Sequence, residues 1–435
     1  MFDDRANPKW LGLWWLLWGA CVFFLSIMLP YMDGTRAYLP YGQYIFFIFS
    51  IAVAFVIIFL DRLYIARIFS RSFLNILVVA CAPIAFSALI GISPEYGLRL
   101  LGILVITTIP FAFVGSLVVI RPVMLVLPIF SVALVCAIGV ILLQNFGPIN
   151  IGNLKLANHL HMNRWSFLFN EANALGAMMA IGLSTSLYLI FVARRNWIKV
   201  VLGIIIIPLM LFVFWKTNSR ASLLWVVWST ILAIIATLYL IYLRYNLSKR
   251  FWIYIAVIAI ILLGLIYTMY HQDVVHFLRI SQKDVTTGRV AIWKLYFKEM
   301  EQHPWWGFGF GATSEFLKGR YPLSPLNVYI GLIGEAGLLG ALPFFLLWFG
   351  AIILAIRIAV SNLDDNIERS ALALFALMIL GGYALQQNGE WTIMRVSPDH
   401  YLFFFTVAMV FSLHNTMISS GAKSKEPALS DAGVG

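Results

Sequence analysis

The chain has 435 residues, of which 62% are hydrophobic and 11% charged, and it carries a net charge of +11. Soluble domains hold roughly 25% charged residues, so this composition excludes a water-soluble globule. The positive charge does not imply nucleic acid, because Lys and Arg fall singly between apolar stretches instead of clustering on one polar domain.

A helix needs about 20 apolar residues to cross the hydrocarbon core. Such stretches occur at 11–29, 42–60, 73–92, 99–119, 122–143, 173–193, 197–214, 222–243, 251–270, 328–356, 370–388 and 400–418. Segments such as 45–60 show no alternation of polar and apolar residues, which excludes a transmembrane barrel. The expected fold class is therefore all-α: a polytopic transmembrane helical bundle of about 12 spans with a large periplasmic loop containing short helices. No small-residue cleavage site follows the first stretch, so it reads as a retained helix. Cys21, Cys81 and Cys136 sit inside apolar stretches without metal-ligand spacing and read as core residues.

In chain order, residues 1–143 hold spans 1 to 5, 144–172 form a periplasmic loop, and 173–270 hold spans 6 to 9. A large periplasmic loop follows at 271–327, then spans 10 to 12 at 328–418, and a tail at 419–435 with the small, charged composition of a disordered segment. The tenth stretch contains Gly331, Gly334, Gly337 and Gly340, which allow its first part to be a separate or tilted segment. Within the large loop, Val290, Trp293, Phe297 and Met300 recur at helical spacing, and Trp305 and Trp306 suit a membrane interface.

Orientation follows from the Lys/Arg bias of short loops. An N-in, C-in arrangement puts sixteen Lys/Arg on cytoplasmic segments and seven on short external ones, which favours it clearly. The chain is thus expected in an inner membrane with its functional loops outside.

External basic residues are then the informative ones, since the inside bias does not account for them. Arg220 lies in the sequence TNSRAS, beside Asn218 and Ser219 and just before a long apolar helix; Arg289 follows Thr286, Thr287 and Gly288 at another helix start. A guanidinium fork, hydroxyl or amide donors and free helix-terminal N–H groups together suit a phosphate. The competing explanation is that each arginine snorkels to lipid head groups or pairs with a carboxylate such as Asp284. No phosphate-binding P-loop or dinucleotide fingerprint is present, GFGFG at 307–311 reads as a turn, and the histidines lack the HExxH spacing of a zinc site.

The ordered motifs NEANALG (170–176), TNSRAS (217–222), TGRxxxW (287–293), HPWWGFG (303–309) and NxYIxxIxExGLLG (327–340) resemble the O-antigen ligase and polymerase superfamily of membrane glycosyltransferases, over residues 163 to 345. The resemblance implies a GT-C-type enzyme with no cofactor and no metal. It would use an undecaprenyl-pyrophosphate-linked oligosaccharide at the periplasmic face, with Arg220 and Arg289 on the pyrophosphate. Membrane lipids surround it, and a chain-length regulator and a flippase are the further partners it admits. Family ligases commonly place a His just before the Asn of the last motif; this chain has Leu326 there, which favours repeat-unit polymerisation over ligation. Arg220, Arg289 and Glu335 are the expected catalytic residues. Asn218, Ser219, Thr287, His303, Arg320, Asn327 and Arg395 are expected at the substrate, and Asp399 and Glu390 are further candidates to assist. The alternatives are a ligase transferring the glycan to another acceptor and, in a different class, a lipid-linked glycan flippase.

Overall fold

The structure is a computed structural model that describes residues 71–117, 119, 122–147, 149–151, 154–156, 165, 172–193, 195–245, 289–317, 326–361, 367–388 and 398–423. The helices are α1 (Arg71–Ile90), α2 (Pro94–Leu117), α3 (Pro122–Phe146), α4 (Ala172–Val192), α5 (Asn196–Thr217), α6 (Arg220–Tyr245), α7 (Arg289–Gln302), α8 (Thr313–Phe316), α9 (Val328–Ser361), α10 (Ile367–Gln386) and α11 (Pro398–Lys423). Pro94, Pro122 and Pro398 open their helices, where a missing N–H costs nothing and the fixed φ suits the first turn. In α5 a π-helical turn, Leu202–Ile206, widens the backbone just before Pro208, a position where a proline ring would crowd the preceding carbonyls.

Nine of the apolar stretches expected to span coincide with described helices. Among the described residues, six helices are long and apolar enough to cross a membrane, and α1 and α11 add shorter apolar segments, Ala80–Ile90 and Leu402–Ile418. The expected spans at 11–29, 42–60 and 251–270 lie outside the described residues. The 144–172 segment departs from a purely helical fold: Ile149–Ile151 (β1) and Leu154–Leu156 (β2) pair as an antiparallel hairpin.

α4 and α10 occupy the centre, with 78% and 72% of their apolar windows buried against 22% for α5 at the rim. α10 packs on α4, α6, α9 and α11, and α2 lies along α11. α6 and α10 run antiparallel: Trp225 meets Tyr383 at 4.5 Å between ring centres, while Trp228, one turn further along α6, donates its indole N–H to Leu377 O at 3.1 Å. The Arg220 end of α6 therefore lies beside the Gln386 end of α10.

The tenth stretch, 328–356, whose glycines allowed its first part to be a separate segment, is two limbs. A straight helix rises about 1.5 Å per residue, so Tyr329 and Trp348 would stand roughly 28 Å apart. Instead their rings stack at 5.8 Å with planes 5° apart, and Tyr329 also lies 5.4 Å from Phe345. The chain reverses at Gly337, whose φ of 65° and ψ of −175° belong to a region open essentially only to glycine. α9 is thus a helical hairpin, and only the limb after Gly337 continues as a long apolar helix.

Breaking a helix orphans carbonyls on one side and N–H groups on the other. The loop after α7 satisfies both. Phe308 and Gly309 N–H donate to Gly334 O and Glu335 O at 3.0 and 2.9 Å, while Leu338 and Leu339 N–H donate to Pro304 O and Trp305 O at 2.9 and 3.1 Å. Ser87 Oγ of α1 sits 2.8 Å from both Trp306 O and Glu335 O, and Ile92 N–H donates to Phe308 O at 2.9 Å. Gly91 and Gly309 cross so closely that a Cβ on either would meet the other's backbone. The glycine-rich turn read from GFGFG is therefore a cap on the hairpin hinge.

Candidate functional site

The first part of the site is a turn tighter than the external turn expected from the sequence. α5 ends at Thr217, Asn218 takes the left-handed conformation (φ 49°, ψ 43°), and α6 begins at Arg220. Asparagine tolerates that conformation better than most residues, and it donates its N–H to Trp215 O at 3.2 Å. Ser219 then caps α6: its Oγ accepts the Ser222 N–H at 3.4 Å and lies 2.9 Å from Ser222 Oγ. Ser219 is wholly buried because α4 presents Gly176, not a larger residue, against it. Trp165 N–H reaches Lys216 O at 3.1 Å, which ties the 144–172 segment to the same turn. These contacts leave Arg220 half-buried at the first position of α6, at the positive end of that helix's dipole.

The second part is the foot of the α9 hairpin. Asn327 caps it, its Oδ1 accepting the Ile330 N–H at 3.0 Å, and its Nδ2 donates to Asn388 O at 3.2 Å. Val328 N–H donates to Gln387 O at 3.0 Å and Tyr329 OH to Ala384 O at 2.7 Å. The foot is thereby fixed to the C-terminal end of α10, next to the start of α6. Leu326, where the resembling ligases carry a histidine, has φ 47°, a conformation a branched side chain rarely adopts.

The third part is α7, which opens at Arg289. Tyr296 packs against Gly334, and the chain beyond α7 reaches Leu338 through Pro304, so α7 and the first limb of α9 rise together toward the hinge. Arg289 stands seven residues before Tyr296, as Asn327 stands seven before Gly334. This shared register sends Arg289 and Asn327 toward the same end of the hairpin, away from the hinge.

Arg289 Nε and Asn218 Oδ1 are buried with no hydrogen-bond partner among the described residues. An unsatisfied buried donor or acceptor costs about 1 to 3 kcal/mol. Such groups are suited to a ligand that supplies an anionic oxygen to one and a hydroxyl to the other.

The expected residues separate into two sets. Asn218, Ser219 and Arg220 share one turn, with Asn327 on the neighbouring helix ends and Arg289 directed the same way. Glu335 and His303 belong to the hinge instead. Glu335 is 3% exposed, and its carboxylate accepts Gly311 N–H at 3.0 Å, Thr313 N–H at 3.2 Å and the Thr313 hydroxyl at 2.5 Å. Loop N–H groups and a threonine hydroxyl thus offset the cost of burying this carboxylate. His303 is exposed, 3.7 Å from Glu299. Asp399 lies in the first turn of α11. Thr287, Arg320, Arg395 and Glu390 lie outside the described residues.

Sequence reasoning passed over Thr313 and Tyr296. Val290, Trp293, Phe297 and Met300 do fall on one helix, α7, as their spacing implied; Ile292 and Tyr296 are its buried residues, while Val290 and Phe297 are exposed. Where lipid is available to an outward face, the more apolar side of a helix need not be the inward one.

Residues 209–345 match the family model described as O-Antigen ligase. The match supports the O-antigen ligase and polymerase superfamily read from the motifs. It runs from the second half of α5 to the early part of the long limb of α9, and so takes in the Asn218–Arg220 turn, α7, the glycine-rich loop and the hairpin hinge. The NEANALG motif at 170–176 falls outside it. No curated protein matches the chain.

Proposed function

We propose that this protein, which matches the O-antigen ligase model over residues 209–345, is a metal-independent glycosyltransferase that polymerises polyprenyl-pyrophosphate-linked oligosaccharide repeat units at the periplasmic face of the inner membrane. The observation that carries the proposal is that Arg220, at the capped start of α6, and Arg289, whose Nε is buried with no hydrogen-bond partner among the described residues, both open helices inside one family-matched segment.

Loss of a pyrophosphate from the anomeric carbon builds negative charge on its oxygens. Two fixed guanidinium groups stabilise that charge more in the transition state than in the ground state, the difference that accelerates a reaction. The N–H groups at the start of α6 add partial positive charge at no cost in reorganisation. Asn218 would accept a sugar hydroxyl at this end, Ser219 and Asn327 hold the helix starts that shape it, and Thr287, Arg320 and Arg395 remain proposed substrate contacts from the sequence alone. Glu335 acts by holding the loop, so deprotonation of the acceptor hydroxyl falls to another group or to the solvent.

The second reading is ligation, which the description of the matching family model favours and Leu326 disfavours. Purified, EDTA-treated protein given lipid-linked repeat units discriminates among these readings. Lengthened lipid-linked glycan is the expected product. Glycan moved to a different acceptor would establish the ligase instead, and strict dependence on added divalent metal would overturn the arginine mechanism.

A further inference from the structure

The proposed site needs Arg289 held in place, yet α7 is a short, partly exposed helix. One buried chain of hydrogen bonds joins it to the hinge. Tyr296 OH lies 2.6 Å from Thr313 Oγ1, which lies 2.5 Å from Glu335 Oε1. The Thr313 hydroxyl donates its single proton to Glu335, so Tyr296 must donate to the threonine oxygen. Proton directions along the chain are thereby determined, which defines one arrangement of α7 on the hairpin. The rings of Tyr296, Phe308 and Phe316 enclose it at centroid distances of 4.3 to 5.4 Å, excluding competing water.

We infer that Glu335, acting through Thr313 and Tyr296, is the positioning residue that fixes the register of α7 and therefore the placement of Arg289. The inference rests on the anion-binding role of Arg289 proposed above and adds to it what sets that arginine's geometry. Glu335 stands at the hinge, while Arg289 points to the opposite end of the hairpin. Its effect travels along α7 as a rigid element: Arg289 lies two turns before Tyr296, on the same face.

The test combines a distance measurement with binding. Spin labels are placed at the exposed positions Lys294→Cys and Leu342→Cys in a cysteine-free background. Glu335→Gln and Tyr296→Phe are expected to broaden the distance distribution between α7 and the long limb of α9, and Thr313→Val should do the same. Thr313→Ser should recover most of what the valine variant loses. Unchanged distributions in all three would overturn the inference whatever the binding data say. Binding is read with undecaprenyl pyrophosphate in detergent. Tyr296→Phe should weaken it about fivefold in the wild-type and Arg220→Ala backgrounds but less than about twofold when Arg289 is already alanine, as expected of two coupled positions. Equal losses in every background would also overturn it. Broadened distances with normal binding by Arg289→Ala would leave the positioning network standing and remove the proposed role of Arg289.

Discussion

The centre of the bundle and the hinge of α9 solve the same problem, an apolar interior that tolerates no orphaned backbone groups, in opposite ways. α4 and α10 satisfy their own N–H and C=O groups along their length, and they pack by shedding side chains. Gly381 and Gly382 lie under the indoles of Trp228 and Trp225, and Gly182 makes room for Met210 and Ala133. At Gly337 the helix gives up its ladder, and a loop from elsewhere in the chain supplies the missing partners. The first solution is rigid and self-contained. The second makes a distant segment obligatory and so couples α7 to the hairpin, which is how a functional group can be held by a region it does not touch.

That contrast can be broken at several points. The largest effect is expected for Gly337→Val: the positive φ and the contact of a Cβ with Trp305 O combine, and strain alone contributes roughly 1 to 3 kcal/mol. Folded protein should fail to accumulate, as read by detergent size-exclusion yield. Arg220→Ala and Arg289→Ala should each lower polymer formation by on the order of a hundredfold while the protein still accumulates. Lysine should rescue only in part, because the planar fork is lost; wild-type chain-length ladders from both alanine variants would refute the site.

Smaller changes sharpen the comparison. Gly382→Ala overpacks the indole of Trp225 and should destabilise by about 1 to 3 kcal/mol in a thermal-unfolding assay, without the selective loss of substrate binding expected at the hinge. Gly350→Ala faces open space in the long limb of α9 and should shift stability by less than about 1 kcal/mol. A Gly350 variant as damaging as Gly382→Ala would mean that the steric account of the core glycines is wrong.

The helices were legible because a membrane span writes its length directly into hydrophobicity, although the apolar stretches alone began two of them a few residues after Pro94 and Pro398, where the helices start. The Asn218–Ser219 turn was legible as a candidate for the same local reason: asparagine suits the left-handed residue and serine the cap. The helical spacing of α7 was legible too, but not that Ile292 and Tyr296 are its buried residues, since hydrophobic periodicity does not say whether lipid or protein meets the apolar side. The glycines at 331, 334, 337 and 340 warned of an irregular tenth span, yet nothing local identifies which of them reverses the chain.

The amino-acid sequence by itself determined that this is a membrane-embedded helical protein, where its helices lie, and which two arginines sit at helix starts. Those properties depend on composition and on residues within a few positions of each other. Only the tertiary structure decided that α9 doubles back, that the loop at 304–313 closes the break, and that Glu335 faces Thr313 and Tyr296. Each is a pairing of hydrogen-bonding groups from distant segments, and a buried donor selects its acceptor by proximity in space, which no local pattern of residues encodes.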